Sequence, residues 1–405
     1  MCSLALVVFA FILALLVGVF FLEVLSAIAF PLREDAVPPS NGPRQRVAVL
    51  IPAHNESAEL LPTIADVKAQ MHGPDRILVV ADNCTDDTAA VAAAAGVDVV
   101  SRNDPDRYGK GYALAFGLGH LASDPPEIVV LLDADCRLAN AVIDRLVASC
   151  AAMRRPVQAL YLMTASPEID CRVGEFAFRV KNLVRPLGLK ALGLPCQLMG
   201  SGIAIPWDLI TSIDLASSSL VEDLKLGLEF ALAKAPPVFC PSAAVVSSFP
   251  SSAEGTSTQR RRWKQGHIDM IVTGAPRLIA LGIARENWAL PAMALDLAIP
   301  PLSLLAVLVI AMSIVTSLGP SSAAMLLSLT TLGVLTITVF LSWLGWGRDI
   351  LPPSKLSLVA PYVIRKLPSY WQIVIRAKVP VKWIRADRAS RTPLSPMEKQ
   401  PAQLR

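Results

Sequence analysis

Two aspartates separated by one residue follow a short apolar run in the first third of the chain. Asp133 and Asp135 come directly after the run 128–132. Because one spacer at a strand end lets both carboxylates face one ligand, and hard oxygen donors suit Mg²⁺ or Mn²⁺, the pair predicts a site for one of these cations. Aspartate pairs also occur in solvated loops, and the apolar run, typical of a buried strand, favours the metal site.

A second acidic pair, Glu222-Asp223, stands near the start of a predicted helix over 220–233. In an inverting displacement, one carboxylate takes the proton from the attacking hydroxyl on the face opposite the leaving group. We therefore predict Asp223 as a general base with Glu222 as its neighbour. The alternative is purely structural, since the helix dipole favours acidic residues in the first turn of any helix.

A basic run ending in tryptophan lies in a predicted helix over 257–272. Guanidinium groups pair with phosphate oxygens, and an indole face suits the apolar face of a sugar ring. Consecutive helical residues point about 100° apart, so at most two of the arginines can serve one ligand. A basic amphipathic helix at a membrane surface is the alternative. The run consists of Gln259, Arg260, Arg261, Arg262 and Trp263.

A glycine-rich basic turn precedes another predicted helix, over 110–122. It reads Arg107-Tyr108-Gly109-Lys110-Gly111. Backbone N–H groups and the helix dipole at such a turn can bind phosphate, and Lys110 adds a charge. The spacing is not that of a P-loop.

Strand and helix patterns alternate along residues 46–132, which predicts parallel strands with right-handed crossovers in a doubly wound α/β nucleotide-binding half. In open sheets of this kind, ligands bind beyond the carboxyl ends of the strands. We therefore expect the polar residues at these ends to converge, although some of them could instead begin turns or cap helices. They are His54, Asn55, Glu56, Asp82 and Asp133.

The order of these motifs resembles that of the inverting, membrane-bound glycosyltransferases of family 2, which include cellulose, chitin and hyaluronan synthases. The pattern is Asp82, the Asp133-Ala134-Asp135 triplet, Asp223, an interval of 35 residues (224 to 258), and then the run that begins at Gln259. The resemblance implies the GT-A fold, a Rossmann-like mixed sheet, over residues 44–275. The 35-residue interval favours the general-base role of Asp223 over the structural alternative.

The resemblance also implies a role for each matched residue. The donor would be a UDP-sugar and the new linkage β. His54, Asn55, Glu56, Asp82, Lys110, Asp133, Gln259, Arg260 and Arg262 would bind the nucleotide sugar. Trp263 would form the floor for the acceptor, and Gly200-Ser201-Gly202, in a predicted strand over 197–205, would lie on the acceptor side. This chain has Asn83-Cys84 after Asp82, where most of the family has an acidic pair or Asp-Gly.

Long apolar segments predict a membrane protein. The chain has 405 residues, of which 53% are hydrophobic. Residues 1–30 are predicted to form an N-terminal anchor, with a cleaved signal peptide as the alternative. The uncharged stretch within 296–347 is long enough for a hairpin of two spans. Residues 354–405 are predicted to form an interfacial helix and a basic tail, with a fourth span at 356–375 as the alternative.

The basic tail indicates orientation. By the positive-inside tendency it is cytoplasmic, which places the catalytic domain on the cytoplasmic side of a plasma (inner) membrane. After two spans, such a tail meets anionic lipid headgroups, and we expect no nucleic acid as partner. Seven cysteines without a C-x-x-C pair and only four histidines argue against a zinc site.

The predicted function is transfer of a sugar from a UDP-sugar to a saccharide or lipid-linked acceptor, in polysaccharide biosynthesis. Because about three spans are few for a polymer channel, a homo-oligomer or an export partner is expected, or else the enzyme adds single sugars to a polyprenyl-linked acceptor. A nucleotidyltransferase would share the acidic strand ends but has no use for Trp263. A non-catalytic membrane scaffold is the remaining alternative.

Overall fold

The computed structural model describes residues 2–30, 43–164, 169–215, 222–249 and 253–365. Side chains in 2–3, 169–171 and 253–262 are not part of that description. The predicted basic tail and most of the possible fourth span at 356–375 lie outside the described residues.

One mixed sheet of eight strands forms the centre of the described domain. Its order is β3-β2-β1-β4-β7-β6-β8-β5. β1 runs parallel to β2 and β4, β2 runs parallel to β3, and β7 is antiparallel to both of its neighbours. The strands are β1 (Val47–Ala53), β2 (Arg76–Asp82), β3 (Asp98–Arg102), β4 (Ile128–Leu131), β5 (Arg137–Leu138), β6 (Val157–Thr164), β7 (Ile203–Pro206) and β8 (Val238–Ser248).

Helices cover both faces of the sheet and extend beyond it. They are α1 (Cys2–Ala29), α2 (Leu61–Lys68), α3 (Thr88–Ala94), α4 (Lys110–Leu121), α5 (Val142–Met153), α6 (Ile169–Arg179), α7 (Arg185–Ala191), α8 (Trp207–Thr211), α9 (Glu222–Leu232), α10 (Ala253–Ala284), α11 (Ala289–Ala298), α12 (Leu302–Ser317) and α13 (Ser322–Trp346). A π-helical segment, Val180–Val184, joins α6 to α7, and 3₁₀ turns occur at Ser57–Leu60 and Pro353–Leu358.

Alternation along β1 shows how the sheet is buried on both faces. Val49 and Ile51 pack with Ile64 of α2 on one face. Leu50 packs with Leu114 of α4 on the other. A strand that is apolar at every position is typical of a parallel sheet between two helix layers, and the predicted alternation of strands and helices is confirmed.

The predicted strand over 197–205 is largely wrong. Only its end belongs to β7, and residues 197–202 form a loop. Gly200 and Gly202 have φ of +100° and +69°. Since an extended strand requires negative φ, these two glycines turn the chain away from the sheet before β7 begins.

α1 packs tightly against α7. A Cβ at Gly188 of α7 would come within 1.9 Å of the carbonyl oxygen of Glu23, so only glycine allows this approach. Beside it, Arg185 donates to Glu23 over 2.8 Å and also pairs with Asp296 of α11. All three charged side chains are buried. This ion triad joins α1, α7 and α11 into one unit.

Removal of the central guanidinium is expected to destabilise this unit strongly. Arg185→Ala leaves two buried carboxylates unpaired, which costs about 3–5 kcal/mol of unfolding free energy. Thermal unfolding of the detergent-solubilised chain measures the loss, with Arg277→Ala, an exposed position on α10, as the control. Equal melting temperatures of the two variants would contradict a stabilising triad.

Among the described residues, three helical segments are long and apolar enough to cross a membrane, judged by length and composition. They are Leu4–Ala29, Trp263–Ala284 and Ser322–Trp346. α11 and α12, bent by 74° at a short break, would together make a fourth. The predicted N-terminal span agrees with the first segment. The predicted hairpin corresponds to α12 and α13, but α12 has only 16 residues, and none of the predicted spans covers Trp263–Ala284.

Candidate active site

A cavity of about 710 Å³ opens at the carboxyl ends of β1, β2 and β4. It brings together ten of the predicted site residues. They are His54, Glu56, Asp82, Lys110, Asp133, Asp135, Gly200, Glu222, Asp223 and Trp263. The convergence follows from topology, because the three strands are parallel neighbours and end at the same edge.

The two aspartates after β4 form the candidate metal site. One carboxylate oxygen of Asp133, one of Asp135 and the sulfur of Cys136 all lie within 4.8 Å of one another. Burial and the Asp135 carboxylate raise the pKa of the Cys136 thiol well above its usual range, so the thiol stays protonated and the donors are carboxylate oxygens. Ser247 of β8 donates to Asp135 over 2.5 Å and orients it. These hard oxygen donors fit Mg²⁺ or Mn²⁺, the predicted cofactor.

Lys110, the first residue of α4, contacts this pair. Its Nζ donates to the Asp133 carboxylate and, over 2.6 Å, to the Gly200 carbonyl. Burial opposes its charged form, but Asp133 and Glu222 outweigh burial, so the pKa of Lys110 is raised. The lysine remains protonated and offsets the mutual repulsion of the carboxylates around it.

Asp82, at the end of β2, lines the cavity and forms an ion pair with an arginine. Arg102 donates to Asp82 over 2.6 Å, and both side chains are nearly buried. The guanidinium of Arg102 also lies over the ring of Tyr112, 5.5 Å from its centroid. The parallel register pairs Asp82 with Arg102 directly. The arginine therefore sets the orientation of the carboxylate that was predicted to hold the nucleoside.

The residues after β1 form a turn that contacts the loop after β2. His54 Nδ1 donates to the Asp82 carbonyl over 2.7 Å. Asn55, with φ of +55°, accepts from the Thr85 backbone N–H over 2.7 Å. Asn55 lies outside the cavity lining, so its contact is with the second loop. Asn55 therefore supports the cavity wall only through that loop, whereas His54 and Glu56 line the cavity.

The loop at 200–202 differs from its predicted place as an acceptor-side strand. Ser201 is fully buried and its hydroxyl accepts from the Asp133 N–H over 3.0 Å. It therefore positions the aspartate and does not line the cavity, contrary to the predicted acceptor contact. Gly200 does line the cavity, and a Cβ there would lie 3.6 Å from Asp223 Oδ2. Its φ of +100° is one that glycine alone adopts readily.

Asp223 lies in the first turn of α9. Its carboxylate is half-buried and lines the cavity beside Gly200. Among the described residues, none forms a hydrogen bond with this carboxylate. An acceptor hydroxyl can therefore reach it, which is the geometric requirement for a general base. Glu222 lines the same wall and acts electrostatically on Lys110.

Four aromatic side chains form the cavity wall at Trp263. The Trp263 ring lies 6.2 Å from Phe178, centroid to centroid, and Phe178 lies 5.8 Å from Tyr161 and 6.1 Å from Phe249. All four side chains line the cavity. The helix α10 contains Gln259, Arg260 and Arg262 as predicted, but their side chains lie outside the described part of the chain.

Sequence reasoning missed several cationic residues at or beside the cavity, among them Arg102, which pairs with Asp82, and Lys181. Arg102 had a usable signal, since parallel pairing of β2 with β3 brings its strand end beside Asp82. Lys181 lines the cavity from the π-helical segment, and no sequence pattern indicated this position. Its place follows from the packing of that segment between the sheet and α1.

Comparison with known proteins agrees with this geometry. Residues 43–266, more than half of the chain, match the model of the family described as glycosyltransferase-like family 2. An uncharacterized glycosyltransferase of Mycobacterium tuberculosis (strain ATCC 25618 / H37Rv) is 37% identical over 122 residues, which cover 28% of this chain and 51% of the relative. The chain thus spans about half the length of the curated relatives it matches.

One solved structure shows the same fold, and a second is a further similar protein. The mannosyltransferase PcManGT from Pyrobaculum calidifontis, in complex with GDP-Man and Mn²⁺, matches with a TM-score of 0.50 and 18% identity, over 84% of this chain and 98% of that chain. Glucosyl-3-phosphoglycerate synthase from Mycobacterium tuberculosis, in complex with Mn²⁺, UDP and phosphoglyceric acid, matches with a TM-score of 0.35 and 26% identity, over 48% and 68%. From the family match and the fold, the chain belongs to glycosyltransferase-like family 2 and has the predicted GT-A fold.

Proposed function

We propose that the chain is a membrane-anchored, inverting enzyme that transfers a sugar from a UDP-sugar to a saccharide or lipid-linked acceptor in polysaccharide biosynthesis. The observation that carries the proposal is the placement of Asp223, accessible and half-buried, in the same cavity as the Asp133 and Asp135 pair. The aspartate pair would thus hold a cation and the diphosphate, and Asp223 would serve as the base in the same cavity.

The proposed reaction is a single displacement. The acceptor hydroxyl oxygen forms a bond to the anomeric carbon of the donor sugar while the bond from that carbon to the diphosphate oxygen breaks. Asp223 takes the hydroxyl proton, and UDP leaves with the bonding electrons. A cation held by Asp133 and Asp135 would neutralise charge on the diphosphate.

The other residues of the proposed site bind and orient the donor and the acceptor. Lys110 holds Asp133 and adds positive charge on the diphosphate side. Asp82, oriented by Arg102, is proposed to hold the base or ribose. Trp263 and Phe178, which both line the cavity, are proposed to stack on an acceptor sugar. Gln259, Arg260 and Arg262 are proposed to bind the diphosphate from α10.

The proposed domain division follows the predicted one: an anchor at 1–30, a catalytic domain at 44–275, a membrane hairpin within 296–347 and an interfacial and basic segment at 354–405. We place α1, the bent pair α11–α12 and α13 in the membrane. The catalytic domain and the basic tail then face the cytoplasm of a plasma (inner) membrane.

Trp263–Ala284 is proposed to lie along the membrane surface. One side of it packs through Ala275 and Leu278 onto α9 and α11. Asp269 and Arg277 are exposed on it, and a charged side chain at the bilayer centre is costly. A helix with one packed face, charges and a preceding arginine run suits the interface.

A transfer assay on isolated membranes tests the proposal. Radiolabelled UDP-glucose, UDP-N-acetylglucosamine and UDP-galactose are offered with Mn²⁺ and crude glycan and lipid extracts, with GDP-mannose as the alternative donor. We expect incorporation from one UDP-sugar, and the product size separates a polymer from a single addition. Because few helices are available for a channel, a polymer would require a homo-oligomer or an export partner. Absence of incorporation and of UDP release with every donor would contradict the transferase.

A further inference from the structure

The cavity does not end at the catalytic carboxylates. It continues past them to Phe20 of α1, to residues 299–303 between α11 and α12, and to Tyr362. Phe20, Ile299 and Tyr362 belong to the apolar cluster that packs α1 against α12 and α13. One end of the cavity is therefore polar and lined by carboxylates, and the other lies among the helices that carry the membrane-length apolar segments.

The break between α11 and α12 provides this apolar end. Pro300 and Pro301 interrupt the helices, because proline lacks the N–H that an α-helix requires, and the two axes meet at 74°. Ile299, Leu302 and Ser303 line the cavity at the break. We call this end, lined by Phe20, Tyr362 and residues 299–303, the apolar crevice.

Lys181 lies on the wall of the same cavity and is exposed to it. Within the described residues, its ammonium makes no ion pair or hydrogen bond. Lys110 and Arg185, by contrast, are each held by carboxylates. Because the cavity itself is surrounded by protein, burial lowers the pKa of Lys181, and the charge of Asp223 only partly offsets this effect. An ammonium in such surroundings is stabilised by a bound anion.

We infer that the acceptor is an anionic amphiphile, in which a phosphate or diphosphate head pairs with Lys181 and a hydrocarbon chain occupies the apolar crevice. This inference rests on the proposed function and names its acceptor class. A free saccharide would leave the crevice without a partner, and a neutral lipid would leave Lys181 uncompensated. The sugar that the head carries presents its hydroxyl to Asp223, and Lys181 holds the head without taking part in bond formation.

Binding to the purified full-length chain in nanodiscs tests the inference without turnover. The probes are hexadecyl phosphate, hexadecanol and inorganic phosphate. Hexadecyl phosphate is expected to bind most tightly, and Lys181→Gln is expected to weaken its binding about 10- to 100-fold, as the loss of a hydrogen-bonded charge pair does. Lys234→Gln, an exposed lysine outside the cavity, is the matched control and should bind as the parent chain does.

A second variant tests the crevice separately. Leu302→Trp adds bulk there and is expected to weaken hexadecyl phosphate about 10-fold or more while inorganic phosphate binding stays unchanged. Equal hexadecyl phosphate affinities of Lys181→Gln and Lys234→Gln would overturn the inference. Inorganic phosphate that binds as tightly as hexadecyl phosphate would also overturn it.

Competition with UDP separates this site from the donor site. Hexadecyl phosphate that UDP displaces would assign Lys181 to the diphosphate of the donor and overturn the inference, whereas simultaneous binding supports it. Failure of the proposed function has a different signature. A chain that binds hexadecyl phosphate through Lys181 but transfers sugar from no UDP-sugar would contradict the transferase and leave the amphiphile site in place.

Discussion

Asp223→Asn is expected to lower the rate of sugar transfer about 10²- to 10⁴-fold, because the amide cannot accept the proton of the acceptor hydroxyl. The substitution conserves size, and no hydrogen bond to the carboxylate is lost among the described residues. The loss should therefore appear in kcat, with a smaller change in the KM for the donor. Initial rates at saturating acceptor, with the donor concentration varied, measure the two constants.

A second carboxylate on the same helix provides the control for Asp223→Asn. Glu229 lies six residues further along α9 and does not line the main cavity. Glu229→Gln should transfer sugar at the parent rate. A kcat for Asp223→Asn within a few-fold of the parent value would remove Asp223 as the base and revive the non-catalytic scaffold or a different base such as Glu222.

Removal of the divalent cation is expected to have an effect of similar size. A chelator should abolish transfer, and added Mn²⁺ or Mg²⁺ should restore it, since neutralisation of the diphosphate is worth several kcal/mol. Asp135→Asn removes one of the two carboxylate donors. We expect it to lower the rate about 10²- to 10³-fold and to raise the Mn²⁺ concentration needed for half-maximal activity. A titration of initial rate against Mn²⁺ measures both effects.

The control for the metal prediction is an aspartate of the same charge elsewhere on the surface. Asp208 on α8 is exposed and outside the cavity, and Asp208→Asn should leave the Mn²⁺ dependence unchanged. Full activity of the parent chain after chelation and dialysis would show that the aspartate pair serves without a cation. Lys110, already in contact with Asp133, would then be the cation on the diphosphate side.

Much of the sheet and of its helix layers was predictable from residue patterns. Runs such as 47–53 and 128–131 are apolar at nearly every position, which is typical of strands covered on both faces, and the order of strands and helices constrains the crossovers. Once those strands are parallel, the residues after them must share an edge. His54, Asp82 and Asp133 therefore converge for a reason that the sequence already contains.

Local conformation was less predictable where glycine and buried polar groups decide it. The segment 197–202 is apolar enough for a strand, but positive φ at Gly200 and Gly202 turns it into a loop. That loop places Ser201 beneath Asp133 rather than in the cavity. Hydrophobic patterns carry no information about φ, so they cannot distinguish this loop from a strand.

The sequence by itself determined which side chains are candidates for the chemistry: two carboxylates spaced for one cation, a further acidic pair, and a helix with arginines and tryptophan. Only the tertiary structure decided what surrounds them. It joined Glu23, Arg185 and Asp296 from three distant segments into one buried triad and opened the cavity toward the helices of the apolar crevice. Sequence motifs identify the candidate reactive groups. The shape of the cavity depends on contacts between helices and strands that lie far apart in the chain, and local residue spacing does not encode those contacts.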